Sequence, residues 1–100
     1  MNDLIAENSE QLMAALPLWT YEYQRSAIKR EVIFNDFIQA FSFMTCVAFK
    51  ADKMNHHPEW FNVYNKVIIV LTTHDENCVT NLDIELARYI DETSTAFRGK

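Results

Sequence analysis

The apolar residues of this chain change their spacing several times, and the order of those changes constrains the fold more than any other feature. Apolar and polar residues alternate over residues 19–23 and again over 28–34, with the polar segment 24–26 between them. Alternation with a period of two predicts strands, and the short polar segment predicts that the two strands form a hairpin. Arg30 is the exception, because it falls on the apolar face of the second strand.

A second pair of strands is predicted at residues 60–64 and 66–73, joined at residues 65–66. Residues 67–71 read VIIVL, so this strand is apolar on both faces, which is typical of a central strand. Because the two strands are consecutive along the chain, we expect them to pair antiparallel.

Helical spacing occupies the segments before, between and after the two hairpins. Ser9 is a predicted N-cap for a short helix, and Pro17 ends that helix. Asn35 is predicted to cap the longest helix, which covers residues 36–53. Residues 80–83 read TNLD, which matches a capping box and predicts the start of the last helix.

The longest helix carries more apolar residues than one face needs. Its predicted core-facing stripe consists of residues at helical spacing: Phe37, Ile38, Phe41, Met44, Ala48 and Ala51. Phe43, Val47 and Phe49 fall outside this stripe. We expect them to form a second buried contact, for which another subunit is one candidate.

The predicted order of elements is therefore α-β-β-α-β-β-α, within a single domain of residues 1–100. Hairpins and short connections favour an antiparallel sheet, and amphipathic helices bury their apolar faces against a sheet. We predict an α+β fold with two layers, in which the helices pack on one face of a four-stranded antiparallel sheet.

Composition and charge exclude several classes of function. Gly99 is the only glycine, so no loop has the pattern of a P-loop or of a dinucleotide-binding turn. The net charge of −5 provides no basic surface for direct binding of nucleic acid or of an anionic membrane. No apolar run has the length of a membrane span, and residues 1–15 lack the pattern of a signal peptide. Cys46 and Cys78 are interpreted as free thiols, which indicates a cytoplasmic protein.

All three histidines of the chain lie in one short segment. His56 and His57 come just before the first strand of the second hairpin, and His74 follows its second strand. These two positions are neighbours in an antiparallel hairpin, so pairing alone brings the three imidazoles to one end of the sheet. We expect this cluster to lie outside the core.

Three interpretations of the histidine cluster are open from the residues alone. The histidines could be grouped by chance, they could hold zinc, or they could transfer protons near neutral pH without any ion. Adjacent residues of an extended segment point in opposite directions, which disfavours binding of one ion by both His56 and His57. Trp60 could cover a flat heterocyclic ligand or simply pack in the core.

The sequence around the histidines resembles a known family. Residues 55–67 read NHHPEWFNVYNKV and residues 72–74 read TTH, which is similar to the signature of the pterin-4a-carbinolamine dehydratases. That signature has an acidic residue, three spacers, His-His-Pro, an aromatic residue and a later histidine after a strand. FSFMT at 41–45 and DIELA at 83–87 also resemble the family, and the similarity covers residues 19–90.

The resemblance implies a hydro-lyase that converts a 4a-hydroxytetrahydropterin into a quinonoid dihydropterin and water, in the recycling of tetrahydrobiopterin. It implies that His56, His57 and His74 line the pterin pocket, with His56 and His74 as acid–base residues and His57 as a binding residue. It implies no cofactor, and no ligand spacing in the sequence supports a metal site. The substrate-binding positions implied by the resemblance are these: Asp52, Asn55, Pro58, Trp60 and Thr73.

The resemblance also implies a dimer or a tetramer. Some family members bind a helical dimerisation segment of a homeodomain transcription factor, so an interaction protein with little catalysis is the alternative function, with the nucleus as a second location. This chain departs from the family at Asp52, where Glu is usual, and at Asn55, where Asp is common. Loss of the carboxylate at position 55 affects the pH dependence expected of a neighbouring histidine.

Overall fold

The computed structural model describes residues 9–98. It contains three helices and four strands in the predicted order α-β-β-α-β-β-α: α1 (Ser9–Ala15), β1 (Thr20–Glu22), β2 (Ala27–Ile33), α2 (Phe37–Met54), β3 (Glu59–Val63), β4 (Lys66–Leu71) and α3 (Asn81–Arg98). Residues 1–8 and 99–100 of the predicted domain lie outside the described part of the chain, as does the side chain of Ser9, so its capping role stays a prediction. None of the described helices is long and apolar enough to cross a membrane.

The four strands form one antiparallel sheet in the order β1-β2-β4-β3, which confirms the predicted sheet and the α+β class. Each hairpin pairs strands that are adjacent in sequence, and β2 with β4 joins the two hairpins in the middle. This central pairing runs from Ile28 opposite Leu71 to Ile33 opposite Lys66. β4 therefore lies inside the sheet, as its doubly apolar sequence predicted.

The core lies between one face of the sheet and the helices. Along β2, Ile28 and Val32 are buried, whereas Glu31 and Ile33 on the opposite face are exposed. Residues from the three helices and from β2 and β4 share one hydrophobic cluster. The helices thus cover one face, as predicted.

The N-cap of α2 was predicted one residue too early. Asp36 caps the helix: its carboxylate accepts a hydrogen bond from the Gln39 amide at 2.8 Å, and its backbone is extended. The Gln39 side chain in turn accepts from the Asn35 amide at 2.9 Å. This reciprocal pair satisfies two backbone donors, which explains why the cap falls on Asp36 and not on Asn35.

The predicted orientation of α2 was also wrong. The residues that face the core are Ala40, Phe43, Val47 and Ala51, so only Ala51 of the predicted stripe is buried. Phe43 and Val47, assigned to a second contact, are fully buried, whereas Phe37 and Phe41 are exposed. Helical spacing identified two apolar faces on one helix. It could not decide between them, because the choice depends on how the side chains fit the sheet and α3.

Arg30 departs from the alternation of β2 because it is part of a buried polar cluster. Its Nη1 lies 2.5 Å from Oδ1 of Asp91 on α3 and donates to Ser94 Oγ at 3.3 Å. Trp19 Nε1 also donates to Asp91, at 2.9 Å. A guanidinium on the inner face of a strand is tolerated when its charge and its donors are paired in this way.

Candidate active site

The first part of the site is built by the end of α2. Asn55 adopts the left-handed conformation (φ 55°), and its amide donates to the carbonyls of Ala51 and Asp52. The His56 amide donates to the Ala51 carbonyl at 3.0 Å. Asparagine is one of the few residues that occupies this conformation readily, so Asn55 ends the helix and directs the two histidines towards β3.

The second part of the site is built by the end of β4. Thr73 forms an isolated antiparallel bridge with Cys78, and its amide donates to the Cys78 carbonyl at 3.0 Å. The Asn77 amide donates back to the Thr73 carbonyl at 2.8 Å, and Asn77 has a positive φ of 60°. His74 is therefore carried by a short closed loop that begins where the sheet ends.

The pairing of β3 with β4 brings these two parts together, as the hairpin geometry predicted. Glu59 is opposite Val70, so the residues before β3 are neighbours of those after β4. An open cavity of about 350 Å³ lies between them. It is lined by Asn55, His56, His57, Pro58, Glu59, Thr72, Thr73, His74, Asp75, Glu76 and Leu82.

His56 is held by a buried carboxylate. Its Nε2 lies 2.5 Å from Oδ1 of Asp83, which is fully buried near the start of α3. His56 itself is only 8% exposed, so the expectation that the whole cluster lies outside the core is wrong for this residue. The error arose because sequence spacing does not reveal that α3 closes over the end of the sheet.

The other oxygen of Asp83 is also fully used. Oδ2 accepts from the Thr80 amide at 2.9 Å and from the Thr73 hydroxyl at 2.8 Å. Because the Thr73 hydroxyl donates to Asp83, the Thr80 hydroxyl must donate to Thr73, 2.6 Å away. The Thr80 oxygen accepts in turn from the Leu82 amide at 3.3 Å. The predicted capping box is thus present, and its carboxylate also orients a histidine.

His74 lies at the exposed side of the cavity and contacts a different carboxylate. Its Nε2 is 2.8 Å from Oε2 of Glu59, the first residue of β3. Nη2 of Arg25 lies 2.8 Å from Oε1 and 2.9 Å from Oε2 of the same carboxylate. The hydrogen bond from His74, followed by that from Arg25, lowers the pKa of Glu59 below its ordinary value, so Glu59 is charged at neutral pH.

His57 has the loosest contact of the three histidines. Its Nε2 lies 3.3 Å from Oδ1 of Asp52 on the last turn of α2, and the two side chains are 57% and 86% exposed. Adjacent histidines thus have opposite environments, because His56 points into the protein and His57 points out.

One feature is common to the three histidines: each contacts its own carboxylate through Nε2. A charged carboxylate only accepts hydrogen bonds, so each such contact favours the proton on Nε2. Nδ1 then remains as the nitrogen that can exchange a proton. Within residues 9–98, none of the three rings has a hydrogen bond at Nδ1.

The predicted site residues are only partly brought together. The histidines, Asn55, Pro58 and Thr73 line the cavity, although Asn55 also ends the helix and the Thr73 hydroxyl is used by Asp83. Trp60 does not line the cavity but packs half-buried against the core, and Asp52 reaches the site only through His57.

Sequence reasoning assigned no role in the site to Asp83, Glu59 or Arg25. Asp83 was predicted only as a capping residue, and the sequence offers no local signal that it faces His56. Glu59 is adjacent to the histidine segment, and the register of the second hairpin places it on the same end of the sheet as His74. The geometry of the second hairpin could therefore have identified Glu59. It could not have identified Arg25, because Arg25 lies in the turn of the first hairpin.

The titratable groups of the described chain form no cluster typical of a metal site. Among residues 9–98, no group of three or more His, Cys, Asp and Glu side chains is arranged to hold a metal ion. Cys78 lies behind the site, and burial, followed by the charges of Glu76 and Asp83, raises the pKa of its thiol. A thiol of this kind is a poor nucleophile.

Comparisons with known proteins identify the family of this chain and agree with its fold. The family described as "Pterin 4 alpha carbinolamine dehydratase" matches residues 2–93. The chain belongs to this family. A relative from Burkholderia cenocepacia (strain J2315), named "Putative pterin-4-alpha-carbinolamine dehydratase", is 52% identical over 95 residues, which are 95% of this chain and 93% of the relative. A relative of the same name from Burkholderia pseudomallei (strain K96243) is 51% identical over 92 residues, or 92% and 91% of the two chains.

A solved structure gives the same result in three dimensions. The crystal structure of a transcriptional coactivator/pterin dehydratase from Brucella melitensis is similar with a TM-score of 0.80 and 46% sequence identity. The similarity covers 87% of this chain and 95% of that one.

Proposed function

We propose that this protein is a dehydratase that removes water from a 4a-hydroxytetrahydropterin and leaves a quinonoid dihydropterin, as a step in the recycling of tetrahydrobiopterin. The observation that carries the proposal is the set of three histidines around one open cavity, each oriented through Nε2 by its own carboxylate. The volume of about 350 Å³ lies in the range of small-molecule sites.

The reaction needs two proton transfers, and imidazoles suit both. The hydroxyl group leaves as water when it receives a proton, and a proton on a pterin ring nitrogen must be removed. Histidine titrates near neutral pH, so one histidine can donate while another accepts. No electron transfer occurs, so the reaction requires no redox cofactor, and we expect turnover to persist after exhaustive treatment with a chelator.

We assign proton transfer to His56 and His74, and orientation of the pterin ring to His57. His56 and His74 have the short contacts to carboxylates, 2.5 and 2.8 Å, which restrain the rings. The contact of His57 is longer and both partners are exposed, so this ring can adapt to a ligand. Reacting groups benefit from restraint, whereas a ring that binds a ligand tolerates movement.

A direct assay tests the proposal. The purified full chain is given a 4a-hydroxytetrahydropterin, and formation of the quinonoid product is followed by absorbance beside the uncatalysed reaction. Wild type should accelerate the dehydration, and a His56→Ala, His74→Ala double variant that circular dichroism shows to be folded should not. Cys46→Ala serves as a control with nearly unchanged turnover. Equal rates for wild type and the folded double variant would refute the histidine mechanism.

A second function is favoured by the outer face of α2. On this helix, four large apolar residues are exposed to solvent: Phe37 (44%), Ile38 (71%), Phe41 (54%) and Phe49 (75%). Such a surface on a small protein is typical of an interface. We propose that α2 mediates self-association into a dimer or tetramer, with a helical segment of a transcription factor as the alternative occupant. The relatives described above come from bacteria, and they give no support to a nuclear location.

Light scattering at micromolar concentration tests the association. Wild type should have the mass of an oligomer, and Phe49→Glu should lower it because a charge is placed on the apolar face. Phe61→Glu is the matched control, since Phe61 is 58% exposed but lies on the sheet and not on α2. A monomeric wild type would contradict self-association and leave the α2 face for another partner.

A further inference from the structure

The pair formed by Arg25 and Glu59 has no evident role in stability. Both side chains are well exposed, 48% and 36% of their surface. Exposed ion pairs contribute little to stability, and many contribute nothing measurable. The chain nevertheless holds the pair in place at the edge of the cavity, and its position beside His74 indicates why.

The turn that carries Arg25 is anchored to the strand that leads to His74. The Thr72 hydroxyl donates to the Ser26 carbonyl at 2.9 Å, and Ser26 is in the left-handed conformation with φ 50°. The Arg25 amide donates to the Glu22 carbonyl at 3.2 Å, which closes the turn. Arg25 is therefore presented to Glu59 by a backbone that is fixed two residues before His74.

Glu59 is the meeting point of these contacts. Its Oε2 contacts both His74 Nε2 at 2.8 Å and Arg25 Nη2 at 2.9 Å, and its Oε1 contacts the same Arg25 nitrogen at 2.8 Å. A carboxylate shared in this way is restrained, and it can only accept from the imidazole. The proton that remains on His74 is then on Nε2, and Nδ1 is the free nitrogen.

We propose that Glu59 is a positioning residue for His74 and that Arg25 holds Glu59 in place, so that Nδ1 of His74 is the atom that exchanges a proton with the pterin. This inference rests on the dehydratase function proposed above and extends it to two residues outside the histidine triad. In the reaction, Nδ1 of neutral His74 accepts a proton from the substrate, or Nδ1–H of the imidazolium donates one. Nε2 keeps its own proton throughout and donates it in a hydrogen bond to Glu59.

The coupling is tested without any substrate. Carbon-13 NMR of the Glu59 carboxyl group during a pH titration gives its pKa in wild type, in His74→Ala and in Arg25→Gln. We expect a pKa below the ordinary glutamate value in wild type and an upward shift in both variants, because each removes a donor to the carboxylate. An unchanged pKa in His74→Ala would overturn the proposal.

The kinetic test compares Glu59→Gln with a matched control. Glutamine has an amide that can donate to Nε2 as well as an oxygen that accepts, so it no longer fixes the proton on that nitrogen. We expect kcat to fall about tenfold, the low end of the loss seen when a histidine loses its orienting partner, with KM little changed and an altered pH profile. Arg25→Gln should cause a smaller loss, and Arg25→Lys should recover part of it.

The control is Glu85→Gln, which removes a carboxylate from another exposed ion pair, Lys50 with Glu85 at 3.1 Å, outside the cavity lining. It changes net charge equally and should leave kcat and its pH profile as in wild type. If Glu59→Gln matched this control, the positioning role would be wrong while the dehydratase function stood. A wild type without turnover would instead refute the proposed function and the catalytic part of the inference, with the NMR titration still deciding the coupling.

Discussion

The two sides of the cavity each hold a histidine against a carboxylate, but one pair is buried and the other is exposed to solvent. On the inner side, the side chains of His56 and Asp83 are almost completely buried, and every oxygen of the carboxylate has a donor. On the outer side, the side chains of His74 and Glu59 are 66% and 36% exposed, and the second partner of the carboxylate is the exposed side chain of Arg25. Both pairs restrain an imidazole through Nε2.

This difference in burial indicates that the inner contact contributes substantially to the stability of the fold, whereas the outer contact contributes little. A buried carboxylate without its donors is costly, so the inner pair helps to hold the start of α3 against the sheet. The outer pair is surrounded by water, which can replace any lost donor. Substitutions on the two sides should therefore separate effects on turnover from effects on stability.

The largest expected effect is on turnover, and it should be similar on both sides. His56→Ala and His74→Ala each remove a proposed proton-transfer group, which costs about 100- to 10,000-fold in kcat. Stability should distinguish the two: His56→Ala leaves Asp83 Oδ1 without its partner and should lower the free energy of unfolding by about 2 kcal/mol. His74→Ala should change it by less than about 1 kcal/mol. Stopped-flow kinetics and urea unfolding of both variants make the comparison, and equal stabilities would contradict the distinction.

The second effect in size is a loss of stability. Asp83→Ala removes the acceptor of His56, Thr73 and Thr80 together, and should lower the free energy of unfolding by about 3 kcal/mol or more. Glu85→Ala, an exposed carboxylate on the same helix, should cost within about 0.5 kcal/mol. Both are measured by urea denaturation with a common slope. A small effect of Asp83→Ala would mean that water enters and satisfies the three donors.

The smallest expected effect is the pH dependence contributed by the outer pair. Because the pKa of Glu59 is lowered in the folded protein, its contribution to stability is present above the ordinary glutamate pKa and is lost as pH falls through the lowered value. The difference in unfolding free energy between wild type and Glu59→Gln should therefore be small at pH 7 and vanish in strong acid. Urea unfolding over a pH series measures it. A difference that grew as the solution became more acidic would have the wrong sign.

The sequence predicted the sheet well because its signals are local. Alternation of period two located β1 and β2, and the doubly apolar run placed β4 inside the sheet. The hairpin argument brought the three histidines to one cavity for the same reason, since antiparallel pairing of consecutive strands fixes which ends meet. These inferences needed no knowledge of how the helices pack.

The failures all concern packing between elements. Phe43 and Phe41 are two residues apart on one helix, and only contacts with the sheet and α3 decide which of them is buried. His56 was expected outside the core because Asp83, which covers it, comes from a helix whose approach the sequence does not encode locally. Arg30 was an unexplained exception in a strand until α3 supplied Asp91. Long-range partners of polar side chains were therefore the hardest part of the site to predict.

The arrangement of the sheet as two hairpins joined in the middle separates strand pairings that are local in sequence from one that is not. Strand neighbours within each hairpin are close along the chain, so their loops close at low entropic cost, whereas β2 and β4 are separated by the whole of α2 and must search for each other. Arg25 belongs to the first hairpin, and Glu59 and His74 belong to the second. A chain with both hairpins formed but not yet docked would lack the contact between Arg25 and Glu59, so the outer half of the cavity is complete only when the two hairpins pair through β2 and β4.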